Sequence, residues 1–268
     1  MSPLFRFVPL AALLSASAIL SGCGGGGSGP ATPTPTPVAS AVYVPSGCDA
    51  TTYSPNYISQ NSSTGDSTQA GFTYWRHFPI SVYISPTDSG TRAATIRGFN
   101  QWVSATGGKA SYSLVSNTTG ANLVVTFAPD DQPADSSGYV TVGLTTISYF
   151  PTDRHIDSAK MQLFILKPDS SANTADNASG YNQTVAAHEF GHALGIGPHS
   201  LDAGDLMYFA VDGSTGSKPV TTRDLNTLKS IYCNNFPTAT GSALERKSSA
   251  ASGTTKTMTL PPLQRVKK

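Results

Sequence analysis

Apolar and polar positions alternate with period two over Ile80-Ser81-Val82-Tyr83-Ile84, which predicts a strand with one buried face. The period then changes. Ile96, Phe99, Trp102 and Val103 recur at helical spacing, so a helix is expected from near Ser89 until Gly107-Gly108 ends it. Tyr112 to Val115, Asn122 to Phe127 and Met161 to Leu166 are short apolar runs and read as three more strands. Tyr139 to Ser148 is rich in Thr and Val and reads as an edge strand. A second helix is expected from near Thr184. A third starts at Thr221 or Thr222, with Leu225, Leu228, Ile231 and Tyr232 on one face. A strand, a helix, several strands and then helices indicate an α+β (mixed α/β) domain.

The segments outside this pattern are of different composition. Arg6 precedes an apolar stretch from Phe7 to Leu20, shorter than the ~20 residues of a spanning helix. The stretch ends in Leu20-Ser21-Gly22-Cys23 and resembles a bacterial lipoprotein signal, with cleavage before Cys23 and a lipid on its thiol. Residues 1–22 are then the signal peptide and 23–40 a Gly/Thr/Pro-rich tether. Residues 41–236 form the domain, with Thr51 to Thr68 wrapping it as irregular chain. Residues 237–268, polar and basic, read as a disordered tail. The expected location is a bacterial cell envelope, with the chain lipid-anchored at an outer membrane or cell surface, or secreted.

Charge narrows the partners. The full chain carries +1, and losing residues 1–22, whose only charge is Arg6, leaves a neutral protein. Nothing in that balance favours nucleic acid, and a monomer is expected. An oxidising compartment favours pairing of Cys48 with Cys233 across the domain's two ends. The alternative, Cys48 as a thiolate blocking a metal, leaves Cys233 unpaired.

The chemistry is concentrated in His188-Glu189-Phe190-Gly191-His192-Ala193-Leu194-Gly195-Ile196-Gly197-Pro198-His199. Residues four apart share a helix face, so His188 and His192 can present imidazoles to one ion. Two such ligands suit Zn2+, with a third protein ligand leaving one position for water. Glu189, about 100° round the helix from His188, borders the ion without binding it, as a general base requires. Gly195 can take a left-handed backbone and return the chain, which makes His199 the candidate third ligand and Asp202 the fallback. His77 and His155 lack a partner at useful spacing. Asp130, Asp131, Asp153 and Asp157 are candidate calcium ligands by charge alone, and loop carboxylates are more often solvated.

With Asp205-Leu206-Met207-Tyr208 following, the chain resembles the metzincin metallopeptidases, and within them the matrixin-like group, whose pattern is H-E-x-x-H-x-x-G-x-x-H and a methionine turn. The resemblance covers about 150 residues, Phe78 to Tyr232. It implies a twisted mixed sheet with an antiparallel edge strand, an active-site helix and a C-terminal helix. It also implies that Met207 floors the metal site and that substrate pairs with the edge strand at Gly143, Leu144, Thr145 and Thr146. The family spacing puts the third ligand at position 198, where this chain has Pro198, with His199 one residue later. The expected activity is zinc-dependent hydrolysis of extracytoplasmic proteins or peptides, with the lipid on Cys23 as the membrane contact. The alternative is a surface binding or adhesion protein on a catalytically degenerate scaffold.

Overall fold

The computed structural model describes residues 47–48, 51–58, 72–166, 175–212, 216–238 and 254–266. The expected signal peptide, Cys23 and the expected tether lie outside them. Among these residues the elements are β1 (Ile80–Ile84), α1 (Ser89–Ala105), β2 (Tyr112–Val115), β3 (Leu123–Pro129), β4 (Tyr139–Tyr149), β5 (Ile156–Ile165), α2 (Ala175–Ala193), β6 (Ala210–Val211), α3 (Thr222–Tyr232), β7 (Lys256–Thr259) and β8 (Leu263–Val266). The strands form one mixed sheet in the order β2-β1-β3-β5-β4-β8-β6, with β7 also paired to β4. Neighbours from β2 to β5 are parallel, and β4 is antiparallel to β5, β7 and β8.

One face of the sheet is buried. Ile80, Val82 and Ile84 of β1 point into the core beside Leu123 and Val125 of β3. In β4 the buried positions are Val140 and Val142, then Thr145, Ile147 and Tyr149. That change of parity coincides with a register shift between Thr141 and Gly143 in the β4–β8 pairing. An extra residue re-aims the pleat, so that one face stays inward along the whole strand.

Helix α1 begins where the Asp88 side chain accepts from the Thr91 N–H (2.9 Å). It ends at Gly107 and Gly108, whose φ of +62° and +84° suit glycine. It packs closely on α2, because a Cβ at Gly98 would sit 2.6 Å from the Gln183 carbonyl. Phe99 stacks on Phe190 with centroids 4.2 Å apart, and the Trp102 indole N–H donates to the Ala187 carbonyl (2.7 Å). Helix α3 opens with a capping box: Thr221 accepts from the Asp224 N–H while Asp224 accepts from the Thr221 N–H. Tyr57, in the irregular segment 51–58, is buried and donates from its hydroxyl to Asp224 (3.3 Å). Cys48 and Cys233 form a disulfide, their Cα atoms 5.4 Å apart.

Four boundaries differ from the sequence reading. Helix α2 starts at Ala175, nine residues before Thr184, because 175–183 is mostly polar and carries no apolar stripe to read. Strand β5 starts at Ile156, before the apolar run at Met161 and where the family resemblance implied a strand from Ile156 to Ile165. Residues 254–266 are not a disordered tail, since they include β7 and β8. Their apolar residues cannot make a core alone, but their backbone groups complete an existing sheet. For the same reason β4 is not an edge strand. It lies between β5 and the C-terminal segment.

Candidate metal centre

Helix α2 carries His188, Glu189 and His192, and all three are fully buried. The helix stops at Gly195, whose φ is +113°. Any side chain there would also collide with the Thr73 carbonyl, 2.0 Å from an added Cβ. The chain turns back through Gly197 and brings His199 to the other two histidines. The Nε2 of His188 lies 3.1 Å from that of His192 and 3.1 Å from that of His199, and the last two are 3.3 Å apart. The extra residue before His199 is thus absorbed by the loop after Gly195.

The hydrogen bonds fix what these nitrogens offer. His188 Nδ1–H donates to the Leu206 carbonyl (2.8 Å), and His192 Nδ1–H donates to the Ile196 carbonyl (2.6 Å). A neutral imidazole that donates from Nδ1 keeps a lone pair on Nε2. Lone pairs therefore face one another across about 3 Å, an arrangement that a cation stabilises. Burial holds all three histidines neutral, pushing His192 down to about 4 and His188 and His199 well below their ordinary value. Tetrahedral zinc at 2.0–2.1 Å needs nitrogens roughly 3.3–3.4 Å apart, so the donor set fits that ion.

Glu189 lies under β4. Its Oε2 accepts from the Thr145 hydroxyl (2.6 Å), while Oε1 has no well-aligned partner. Burial pushes its carboxyl up to about 8, against the pull of the Thr145 hydroxyl and the nearby Leu263 N–H. Gly143 makes this approach possible, since a Cβ there would lie 2.3 Å from Oε1.

The methionine segment supports the site from the other side. Leu206 takes the His188 proton donor, and Met207, fully buried, packs with its sulfur against Gly191. Asp224 receives the Leu206 and Met207 N–H groups at 2.9 and 3.3 Å. Asp202, the fallback ligand, instead pairs with Arg223 (2.5 Å) and accepts from the Gly204 N–H. His155 pairs with Asp153 and stacks on Phe150. Asp153 also binds Arg76 and Asp130 binds Arg265, and neither belongs to a cluster of potential ligands among the described residues. The role of Asp224 was not readable from the sequence.

A family model described as Matrixin matches residues 75–233. The chain belongs to the matrixin family. It is 23% identical over 190 residues to Metalloendoproteinase 1 of Glycine max, covering 65% of this chain and 60% of that protein. It is 29% identical over 153 residues to the Hatching enzyme of Paracentrotus lividus, covering 56% of this chain and 24% of that one. The matched region thus spans less than two thirds of either relative's length. Within this matrixin, zinc is the ion that both the family and the histidine triad imply.

Proposed function

We propose that this matrixin is a zinc-dependent endopeptidase. The observation that carries the reading is the convergence of three imidazole Nε2 atoms, two of them from one helix turn that also carries the buried Glu189. His188, His192 and His199 would hold the ion, which supplies a Lewis acid for the scissile carbonyl. Glu189 would take a proton from the attacking water and return it to the leaving amine. Thr145 fixes one of its oxygens and leaves the other for the water. Met207 would floor the site, and the β4 segment Gly143 to Thr146 would present backbone groups to an extended peptide. The disulfide supports an oxidising location, and the Cys23 signal pattern supports a lipid anchor there.

The test compares the parent with Glu189→Ala on an unfolded protein substrate, with zinc content measured on both. It is repeated in a Leu260→Asp/Leu263→Asp chain, designed to expel the C-terminal strands from β4. The expected result is a 10²–10⁴-fold fall in kcat/KM with zinc retained. Equal background rates in every chain would favour a binding protein on the same scaffold.

A further inference from the structure

The C-terminal strap, residues 256–266, runs antiparallel along β4 and past Glu189. Thr259 pairs with Thr146, the Leu260 N–H donates to the Thr145 carbonyl (2.9 Å), and Leu263 pairs with Gly143. On its other side β8 pairs in parallel with β6, and the Gln264 N–H donates to the Phe209 carbonyl (3.0 Å). The strap is thus held between β4 and the chain that follows the methionine turn.

Its side chains are seated. Leu260 and Leu263 are only 2% and 1% exposed. Arg265 reaches inward to Asp130 (2.9 Å), whose side chain is 2% exposed, and the Tyr181 hydroxyl faces the same pair. Its place on the reaction path is also defined. Leu263 pairs with Gly143, the residue that stands against Glu189 Oε1, so its backbone nitrogen faces that carboxylate, on the side where a leaving amine would receive its proton. The bond facing the general base is therefore Pro262–Leu263. Pro261 and Pro262 stand opposite the single residue Leu144. This bulge, with no N–H to give, shifts the carbonyl before Leu263 out of the regular ladder.

We propose that residues 256–266 are a tethered pseudosubstrate that keeps the protein latent, and that Asp130 selects a basic side chain at the third residue after the bond facing Glu189. The proposal rests on the endopeptidase reading and gives it a substrate class: extended segments with an apolar residue just after the cut and Arg or Lys two residues further on. A segment cut in trans would carry the Leu263 and Arg265 pattern without the proline bulge.

The test uses full-length chains. Expelling the strap with Leu260→Asp/Leu263→Asp should raise kcat/KM on a peptide substrate at least tenfold. Arg265→Ala, which leaves both leucines in place, should give a smaller rise. A fluorescent peptide of residues 255–266 should bind the expelled chain carrying Glu189→Ala, as read by anisotropy. The same peptide with Arg265→Ala should bind at least tenfold more weakly, and Asp130→Asn in the protein should abolish that difference. Hydrolysis above background with equal kcat/KM in parent and expelled chains, no peptide binding, or binding indifferent to Arg265 would each overturn the proposal. Peptide binding with no hydrolysis by any chain would uphold the groove assignment and sink the endopeptidase reading instead.

Discussion

Gly143 and Glu189 share one small space. A methyl group at 143 would stand 2.3 Å from Oε1 and 2.7 Å from the carboxyl carbon, so the glutamate must rotate or β4 must lift. In the Leu260→Asp/Leu263→Asp chain, Gly143→Ala is therefore expected to cut kcat at least tenfold while the three histidines still take up zinc, because the three atoms nearest the added methyl all belong to Glu189. Activity assay with metal analysis checks this, and an unchanged kcat would mean the carboxylate is not confined as described. The pair also shows what the sequence hides. Glu189 is legible beside two histidines, whereas Gly143 reads as one more residue of a Thr-rich strand.

Helix α3 acts on the site without touching it. Asp224, in its first turn, closes the capping box and accepts the Leu206 and Met207 N–H groups as well as the Tyr57 hydroxyl. Leu206 in turn orients His188 through its carbonyl. Burial raises the Asp224 carboxyl, and its backbone and Thr221 hydrogen bonds oppose that. Asp224→Asn would turn an amide NH₂ toward donors, leaving at least one buried N–H unmet at a cost on the order of 3 kcal/mol. Urea unfolding should show that loss, and zinc affinity at limiting metal should fall with it. The start of α3 at Thr221 or Thr222 was readable from the sequence; the bridge from Asp224 to residues 206 and 207 was not, since it joins positions 17 and 18 residues apart.

For the molecule as a whole, the ion and the fold are linked. His188 and His192 hold facing lone pairs with the His199 Nε2 beside them, so removing metal with a chelator should lower Tm, and zinc should restore it. The pH dependence of the metal-free protein follows from the same burial. Each histidine is held below the unfolded value of 6.5, with His192 at about 4. Unfolding then takes up protons between those values. Stability is full above about pH 6.5 and is lost as pH falls, by up to about 1.4 kcal/mol per pH unit for each histidine. Melts of the metal-free Glu189→Ala chain from pH 8 to 4.5 check the sign, because the parent's Glu189 carboxyl, raised to about 8, contributes the opposite trend over the same range; a rise in Tm on acidification of that variant would contradict it. Reduction of Cys48–Cys233, which closes 185 residues of chain, should cost roughly 2–5 kcal/mol.

Local rules alone reached the strand at 80–84, helices α1 and α3, and the histidine pair with its glutamate, because periodicity, caps and i,i+4 spacing are written in neighbouring residues. The start of α2 escaped them, since polar residues gain helicity there by packing rather than by pattern. Only the assembled sheet decided that His199 reaches its partners despite one extra residue, that Gly143 admits Glu189, and that residues 256–266 close over β4. Each of these depends on a contact between segments distant in the chain, and composition says nothing about which backbone a strand will find.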